Sequence, residues 1–202
     1  GSDDPASSSE PDTCQFPANY ADTTWRVYPG LYPGGLKLNG GSFYLEPGLY
    51  YIEGGGLDLG GGGVSVISVD IGGSTGPAGG VLFYNTESDE SPAGPVDLNG
   101  ADANIELWPY GDPPWKGFVL IQDRDLAING DDITINGSDS DMEVRGAIYG
   151  ASADVKIDGS AGTLVLDQII ADTFYISGGG GTIMANKDSD FVPTLTIAGL
   201  VE

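Results

Sequence analysis

The chain has 202 residues, which suits one domain or two small ones, and contains 34 glycines, 30 acidic side chains, seven basic ones and no histidine. The net charge of −23 repels phosphate backbones and therefore argues against nucleic-acid binding, while the lack of histidine excludes Ser-His-Asp and Cys-His catalysis. A hydrophobic fraction of 40% is enough to build a core, so the chain as a whole is not expected to be disordered.

The first 24 residues are predicted to be a flexible acidic lead-in, followed by one domain at 25–202. Residues 3–12 are small, acidic and rich in proline, and they show no apolar period. Cys14 lies in this lead-in and, as the one cysteine of the chain, allows no internal disulfide. The chain contains no apolar run long enough to span a membrane, so any tether is expected to have been removed with a preceding segment.

From Trp25 onward, short apolar runs with a period of two alternate with glycine, asparagine and aspartate. A period of two is typical of strands that bury one face, and the intervening residues favour tight corners. The clearest runs are Leu36-Lys37-Leu38, Phe43-Tyr44-Leu45, Leu57-Asp58-Leu59, Val64-Ser65-Val66, Ile133-Thr134-Ile135, Val155-Lys156-Ile157 and Leu195-Thr196-Ile197. No stretch shows a convincing helical period, and residues 164–171 are interpreted as one or two buried strands. The sequence therefore predicts an all-β fold.

These runs repeat along the chain. Residues 29–32 recur at 47–50 with a shift of 18, and residues 34–38 recur loosely at 55–59 with a shift of 21. The triplet Leu/Ile-Asn-Gly occurs at 38–40, 98–100, 128–130 and 135–137. Repeats of about 20 residues are typical of a β-solenoid in which each turn buries its apolar residues against the next.

The repeats favour a right-handed parallel β-helix with projecting loops. The loops are predicted at residues 72–80, 85–95 and 108–115, where glycine, proline and polar residues interrupt the pattern. A β-sandwich is the alternative fold, because Asn-Gly pairs between short strands also occur in hairpins.

Five segments in consistent order resemble a bacterial family. They are Pro29-Gly30-Leu31-Tyr32-Pro33-Gly34-Gly35-Leu36-Lys37-Leu38, Leu45-Glu46-Pro47-Gly48-Leu49-Tyr50-Tyr51, Gly117-Phe118-Val119-Leu120-Ile121-Gln122-Asp123-Arg124, Gly146-Ala147-Ile148-Tyr149 and Gln168-Ile169-Ile170-Ala171-Asp172. Over residues 29–202 the chain is similar to the C-terminal glycine-rich region of TadG-like proteins of tight-adherence (Tad/Flp) pilus assembly.

The resemblance implies an extracellular, non-catalytic protein that takes part in adhesion together with surface pili. It implies pilus components, or a cell-surface or glycan ligand, as partners, and a membrane contact only through a tether that this chain lacks. Relatives often carry a cysteine beside the first Pro-Gly-x-Tyr, where this chain has Tyr32-Pro33.

Acidic residues between 131 and 143 are the candidate metal ligands. Asp139, Asp141 and Glu143 alternate, which would place their carboxylates on one strand face, and Asp131 and Asp132 precede them. Oxygen ligands converging in this way could bind Ca²⁺, the one candidate cofactor, although Val144 replaces the glycine that an EF-hand loop requires. A solvated acidic loop is the other interpretation.

Three aromatic residues, Trp108, Tyr110 and Trp115, form the candidate ligand or adhesion loop. Exposed rings can stack on the apolar faces of sugars, but the same rings could instead cover the side of the solenoid.

The alternative function is a carbohydrate-binding or polysaccharide-degrading β-helix that could use calcium. Residues 130–132 resemble the paired-acid segment of polygalacturonases, but the Gly-His-Gly and Arg-x-Lys segments of those enzymes are missing. We therefore expect no enzymatic activity.

Overall fold

The structure is a computed structural model that describes residues 14–15, 24–61, 64–69, 73, 76, 78, 80–99, 104–126, 128, 132–137, 142–159, 163–178 and 182–185. In these ranges the chain forms sixteen β-strands and no α-helix, which confirms the prediction of an all-β protein. Accordingly, the described ranges contain no helix with the length and apolarity needed to cross a bilayer.

The strands follow one another in chain order. They are β1 (Cys14–Gln15), β2 (Thr24–Val27), β3 (Gly30–Pro33), β4 (Leu36–Leu38), β5 (Ser42–Leu45), β6 (Gly48–Glu53), β7 (Leu57–Gly60), β8 (Ser65–Ser68), β9 (Val81–Thr86), β10 (Val96–Asn99), β11 (Asn104–Leu107), β12 (Phe118–Gln122), β13 (Ile133–Asn136), β14 (Met142–Asp158), β15 (Thr163–Ser177) and β16 (Thr182–Ala185).

All pairings between these strands are parallel, and they group the strands into three columns. The first column contains β1, β4, β7, β10 and β13; the second contains β2, β5, β8 and β11; the third contains β3, β6, β9 and β12. Strand β14 pairs in turn with β11, β12 and β13, so one strand passes through the second, third and first columns. Such a curled parallel sheet agrees with the predicted solenoid and differs from the facing antiparallel sheets of a sandwich.

The core consists of side chains stacked in register from one strand to the next. In the first column, one interior row contains Leu38, Leu59, Leu98, Ile135 and Ile157, each at most 2% exposed. The second column contributes a row of Phe43, Val66, Ile105, Met142 and Leu164. Each strand thus buries its alternate residues against the strands above and below it, as the period of two predicts.

The lead-in and the domain meet at the first column. Cys14 and Gln15 form β1, which pairs with Leu36 and Lys37 of β4. These two residues of the predicted lead-in therefore belong to the sheet, and β2 begins at Thr24. Residues 1–13 and 16–23 lie outside the described residues.

The long connections lie on either side of the third column. From β4 onward, connections from the first to the second column have three to five residues, as at 39–41 and 137–141. The insertions at 69–80 and 108–117 lead into the third column, and those at 87–95 and 123–132 lead out of it. The predicted loops thus border one column of strands.

Asp97 lies outward in the first column, between Asp58 of β7 and Thr134 of β13. Burial, followed by the neighbouring Asp58 carboxylate, raises the pKa of Asp97 above its ordinary value. A carboxyl whose pKa is raised on folding favours the folded state below its unfolded pKa of about 3.9, and that contribution is lost as the pH rises through the folded pKa.

Asp97→Asn is therefore expected to raise the free energy of unfolding at pH 7 and to give no gain at pH 3. Denaturant unfolding at the two pH values measures this, with Asp112→Asn on an exposed loop as the control for net charge. An equal gain for both variants at pH 7 would show that only the overall charge of −23 had been relieved.

Candidate functional site

The predicted metal ligands are only partly described. Asp131, Asp139 and Asp141 lie outside the described residues. Asp132 accepts a hydrogen bond from the Asp154 backbone N–H at 2.7 Å, at the start of β13. Glu143 lies in β14 and is paired with Arg145, so the two described carboxylates belong to different columns. Among the described residues, no group of three or more acidic, cysteine or histidine side chains is placed to hold a metal ion, and the calcium site stays a prediction.

Trp108 directly follows β11 and is fixed by its backbone. Its N–H donates to the Ser68 hydroxyl at 2.9 Å, and its carbonyl accepts from the Val81 N–H at 2.9 Å. These bonds connect the end of strand β8, in the second column, to the beginning of strand β9, in the third column. The indole N–H donates to Glu106 Oε1 at 3.0 Å, so the ring is held on the outer side of the second column.

Beyond Trp108, the loop at 108–117 closes on itself. The Tyr110 N–H donates to the Phe118 carbonyl at 2.9 Å, and the Gly117 N–H donates to the Tyr110 carbonyl at 2.8 Å. Tyr110 is half-buried, whereas Trp115 at the outer end is 38% exposed. Of the three predicted aromatic residues, Trp115 is therefore the one most accessible to a ligand.

Arg145 joins two of the predicted sites. Its Nη1 donates to Glu143 Oε1 at 3.0 Å, and its guanidinium carbon lies 5.5 Å from the Trp108 ring centroid. Its Nε lies 3.1 Å from both oxygens of Asp167, whose side chain is fully buried. Glu143 from the predicted metal site and Trp108 from the predicted aromatic loop thus meet around one buried cation.

We call this group the Arg145 cluster; it consists of Glu106, Trp108, Glu143, Arg145 and Asp167, and it favours the charged form of the Arg145 guanidinium. Burial alone would lower the pKa of Arg145, but the hydrogen bonds that it donates to Glu143 and Asp167 more than compensate, so its pKa lies above the ordinary value. Asp167 also accepts the Gly146 N–H at 2.7 Å. The buried Asp167 carboxylate thus accepts two N–H groups, because the single Arg145 Nε–H is shared between its two oxygens. The cluster can therefore hold the loop in place, and it offers no unpaired base for catalysis at Asp167.

A groove of about 280 Å³ lies beside the cluster on the outer side of the second column. Its polar lining comprises Asn104, Glu106, Glu143 and Thr163, and Val165 provides an apolar side. Carboxylate, amide and hydroxyl groups together can accept and donate hydrogen bonds to a hydroxyl-rich neutral ligand, while the two carboxylates disfavour an anion.

The outer side of the third column carries a row that the sequence analysis missed. It contains Leu31, Tyr51, Tyr84, Ile121, Tyr149 and Ile170 in register, and we call it the tyrosine row. The Tyr51 and Tyr84 rings stack with centroids 5.3 Å apart and 5° between their planes. The alternation in residues 48–53 could have revealed Tyr51, because Tyr50 faces the core and its neighbour must face outward.

Comparisons of the chain with protein-family models, with curated proteins and with solved structures found no match. The function is therefore argued from the chemistry of the cluster, the groove and the tyrosine row.

Proposed function

We propose that this chain is a non-catalytic structural and adhesion protein of the bacterial cell surface, associated with pili of the Tad/Flp type. We further propose that its complete fold is a right-handed parallel β-helix, a rigid solenoid from which the loops project. The supporting observation is that the long insertions between β8 and β13 border a single column of the sheet, while the other connections from β4 onward stay short.

Rigidity follows from how the loops are anchored. The loop at 108–117 is fixed by Arg145 through Trp108, and the loop at 87–95 contains a tight turn closed by two backbone hydrogen bonds between Ser88 and Ser91. Loops that are anchored at both ends lose little conformational entropy when they bind a surface, which favours adhesion. The net charge of −23 would keep such a solenoid soluble.

The lack of catalysis is proposed from the chain's chemistry. The chain has no histidine, and the two groove carboxylates are engaged, Glu106 by the Trp108 indole and Glu143 by Arg145. A catalytic acid or base must be within hydrogen-bond reach of its substrate, whereas these two carboxylates already bind side chains of this protein.

Binding of a carbohydrate in the groove is the second candidate function. The observation that favours it is the mixed lining of Asn104, Glu106, Glu143 and Thr163 next to an aromatic loop. This candidate agrees with adhesion if the surface that is contacted carries neutral glycans.

The test is complementation of a gene deletion in the source cells. We expect the deletion to reduce attachment severalfold, the wild-type gene to restore it, and immunogold label against the chain to lie along surface pili. A gene in which residues 110–116 are replaced by glycine and serine should restore the label but not attachment, and Glu106→Gln should do the same if a glycan binds in the groove. Label confined to the cell interior, or unchanged attachment after deletion, would contradict the proposal.

A further inference from the structure

The tyrosine row is partly open to solvent. Leu31 is 59% exposed and Tyr51 is 37% exposed, although both lie on strands that are paired within the sheet. Tyr84 and Tyr149 are half-buried, and Ile121 is buried between them. The row is therefore a continuous apolar strip whose exposed part lies at Leu31 and Tyr51.

A border of oxygen-bearing side chains runs beside the strip. Glu53 follows Tyr51 two residues along β6, and Thr86 is its partner in β9. Asp123 accepts hydrogen bonds from the Thr86 hydroxyl at 3.1 Å and from the Tyr84 hydroxyl at 3.3 Å. The insertion that leaves β9 adds the exposed acidic residues Glu87, Asp89 and Glu90. The strip is thus bordered by negative charge.

The chain itself shows how a cation binds to this strip. The guanidinium carbon of Arg124 lies 5.3 Å from the Tyr149 ring centroid, and its Nη2 donates to the Tyr149 hydroxyl. The Phe118 ring contacts the same tyrosine edge-on at 6.3 Å. An arginine can therefore pack on this row with its guanidinium against a tyrosine ring and its hydroxyl.

Arginine and lysine fit such a surface because each combines an apolar stem with a charged head. The row crosses six strands, and the five spacings of about 4.8 Å between them make a length of about 24 Å. An extended segment of about seven or eight residues would cover this length. We propose that the tyrosine row and its acidic border bind an extended segment of a partner protein that carries arginine and lysine side chains. Their stems pack along Leu31 and Tyr51, and their charges reach Glu53 and Asp123.

This inference gives the partner chemistry for the proposed display role and rests on it. The two can fail separately, because the following assay uses the purified chain whereas the display role is measured by attachment of cells.

The assay is fluorescence anisotropy with a labelled eight-residue peptide of alternating arginine and serine at 150 mM NaCl. The double variant Leu31→Ser, Tyr51→Ser changes no charge and is expected to weaken binding about tenfold, with about threefold from the cation–π contact at Tyr51 and about threefold from the apolar contact at Leu31. Tyr175→Ser, which alters a 60% exposed tyrosine of β15 beside Lys156 of β14, should leave binding unchanged.

Charge is tested with a matched pair. Glu53→Gln should weaken binding severalfold, and Asp154→Asn, which removes the same charge from the first column, should have little effect. Circular dichroism of each variant establishes that it is folded. If each control variant weakened binding as much as the variant with which it is paired, the proposal would be overturned. The peptide would then be attracted by the net charge alone. A dependence on Tyr51 that appeared only with a neutral oligosaccharide would also overturn it.

Discussion

Replacement of Arg145 by methionine is expected to lower the free energy of unfolding by about 3–5 kcal/mol, the usual loss when one partner of a buried ion pair is removed. The Arg145 side chain is 8% exposed and Asp167 is fully buried, so the variant would leave an uncompensated carboxylate in the interior. Glu143 is 38% exposed and can recover hydration, so most of the loss is assigned to Asp167. Denaturant unfolding followed by tryptophan fluorescence measures the loss and reports on Trp108.

Two further variants make this result specific. Asp167→Asn in the Arg145→Met background removes the stranded charge and should recover part of the stability. Arg124→Met removes an exposed arginine that also packs on a ring, and it should cost about 1 kcal/mol or less. Similar losses of stability for Arg145→Met and Arg124→Met would contradict the conclusion that Arg145 forms a stabilising buried ion pair with Asp167.

Gly56→Ala is expected to destabilise the chain by about 3 kcal/mol, the sum of a backbone cost of about 1–2 kcal/mol and a steric cost of about 1–3 kcal/mol. Gly56 has φ of +80°, in the left-handed region that disfavours other residues. A Cβ atom there would lie 2.1 Å from the Pro95 carbonyl oxygen, on the next coil of the chain. That oxygen already accepts the Leu57 N–H at 3.0 Å, so it cannot move without loss of a hydrogen bond.

Gly61→Ala is the matched control for Gly56→Ala. Gly61 also has a positive φ, +112°, but a Cβ atom there would meet nothing within 4 Å. It should show the backbone cost alone, and the difference between the two variants measures how closely the coils approach each other. Equal losses in thermal or denaturant unfolding would mean that the coils are not in contact at this corner.

The sequence repeats predicted part of the register. The shift of 21 between residues 34–38 and 55–59 is the register found, with Leu36 beside Leu57 and Leu38 beside Leu59. The stronger repeat, with its shift of 18, does not give the register, because Gly30 pairs with Tyr50. The difference of two residues keeps every side chain on the same face of the strand, so the repeat still aligns residues that share a face.

The Arg145 cluster could not be predicted, because variable insertions separate its members. Phe43 and Val66 are 23 residues apart along the chain, whereas their successors Ile105 and Met142 are 37 apart, so no fixed period leads from Trp108 to Arg145 and Asp167. The acidic pattern identified Glu143 as a candidate metal ligand, but pattern alone could not show that a cation two residues further on would pair with it.

Successive strands stack in parallel columns, and contacts between methyl groups test this arrangement. In a methyl-labelled sample, NOEs should connect each neighbouring pair of the interior row in the first column. That row contains Leu38, Leu59, Leu98, Ile135 and Ile157. An unbroken series of such contacts is the predicted result. Strong Hα–Hα contacts between strands, which indicate antiparallel pairing, together with a lack of contacts along this row, would contradict the account.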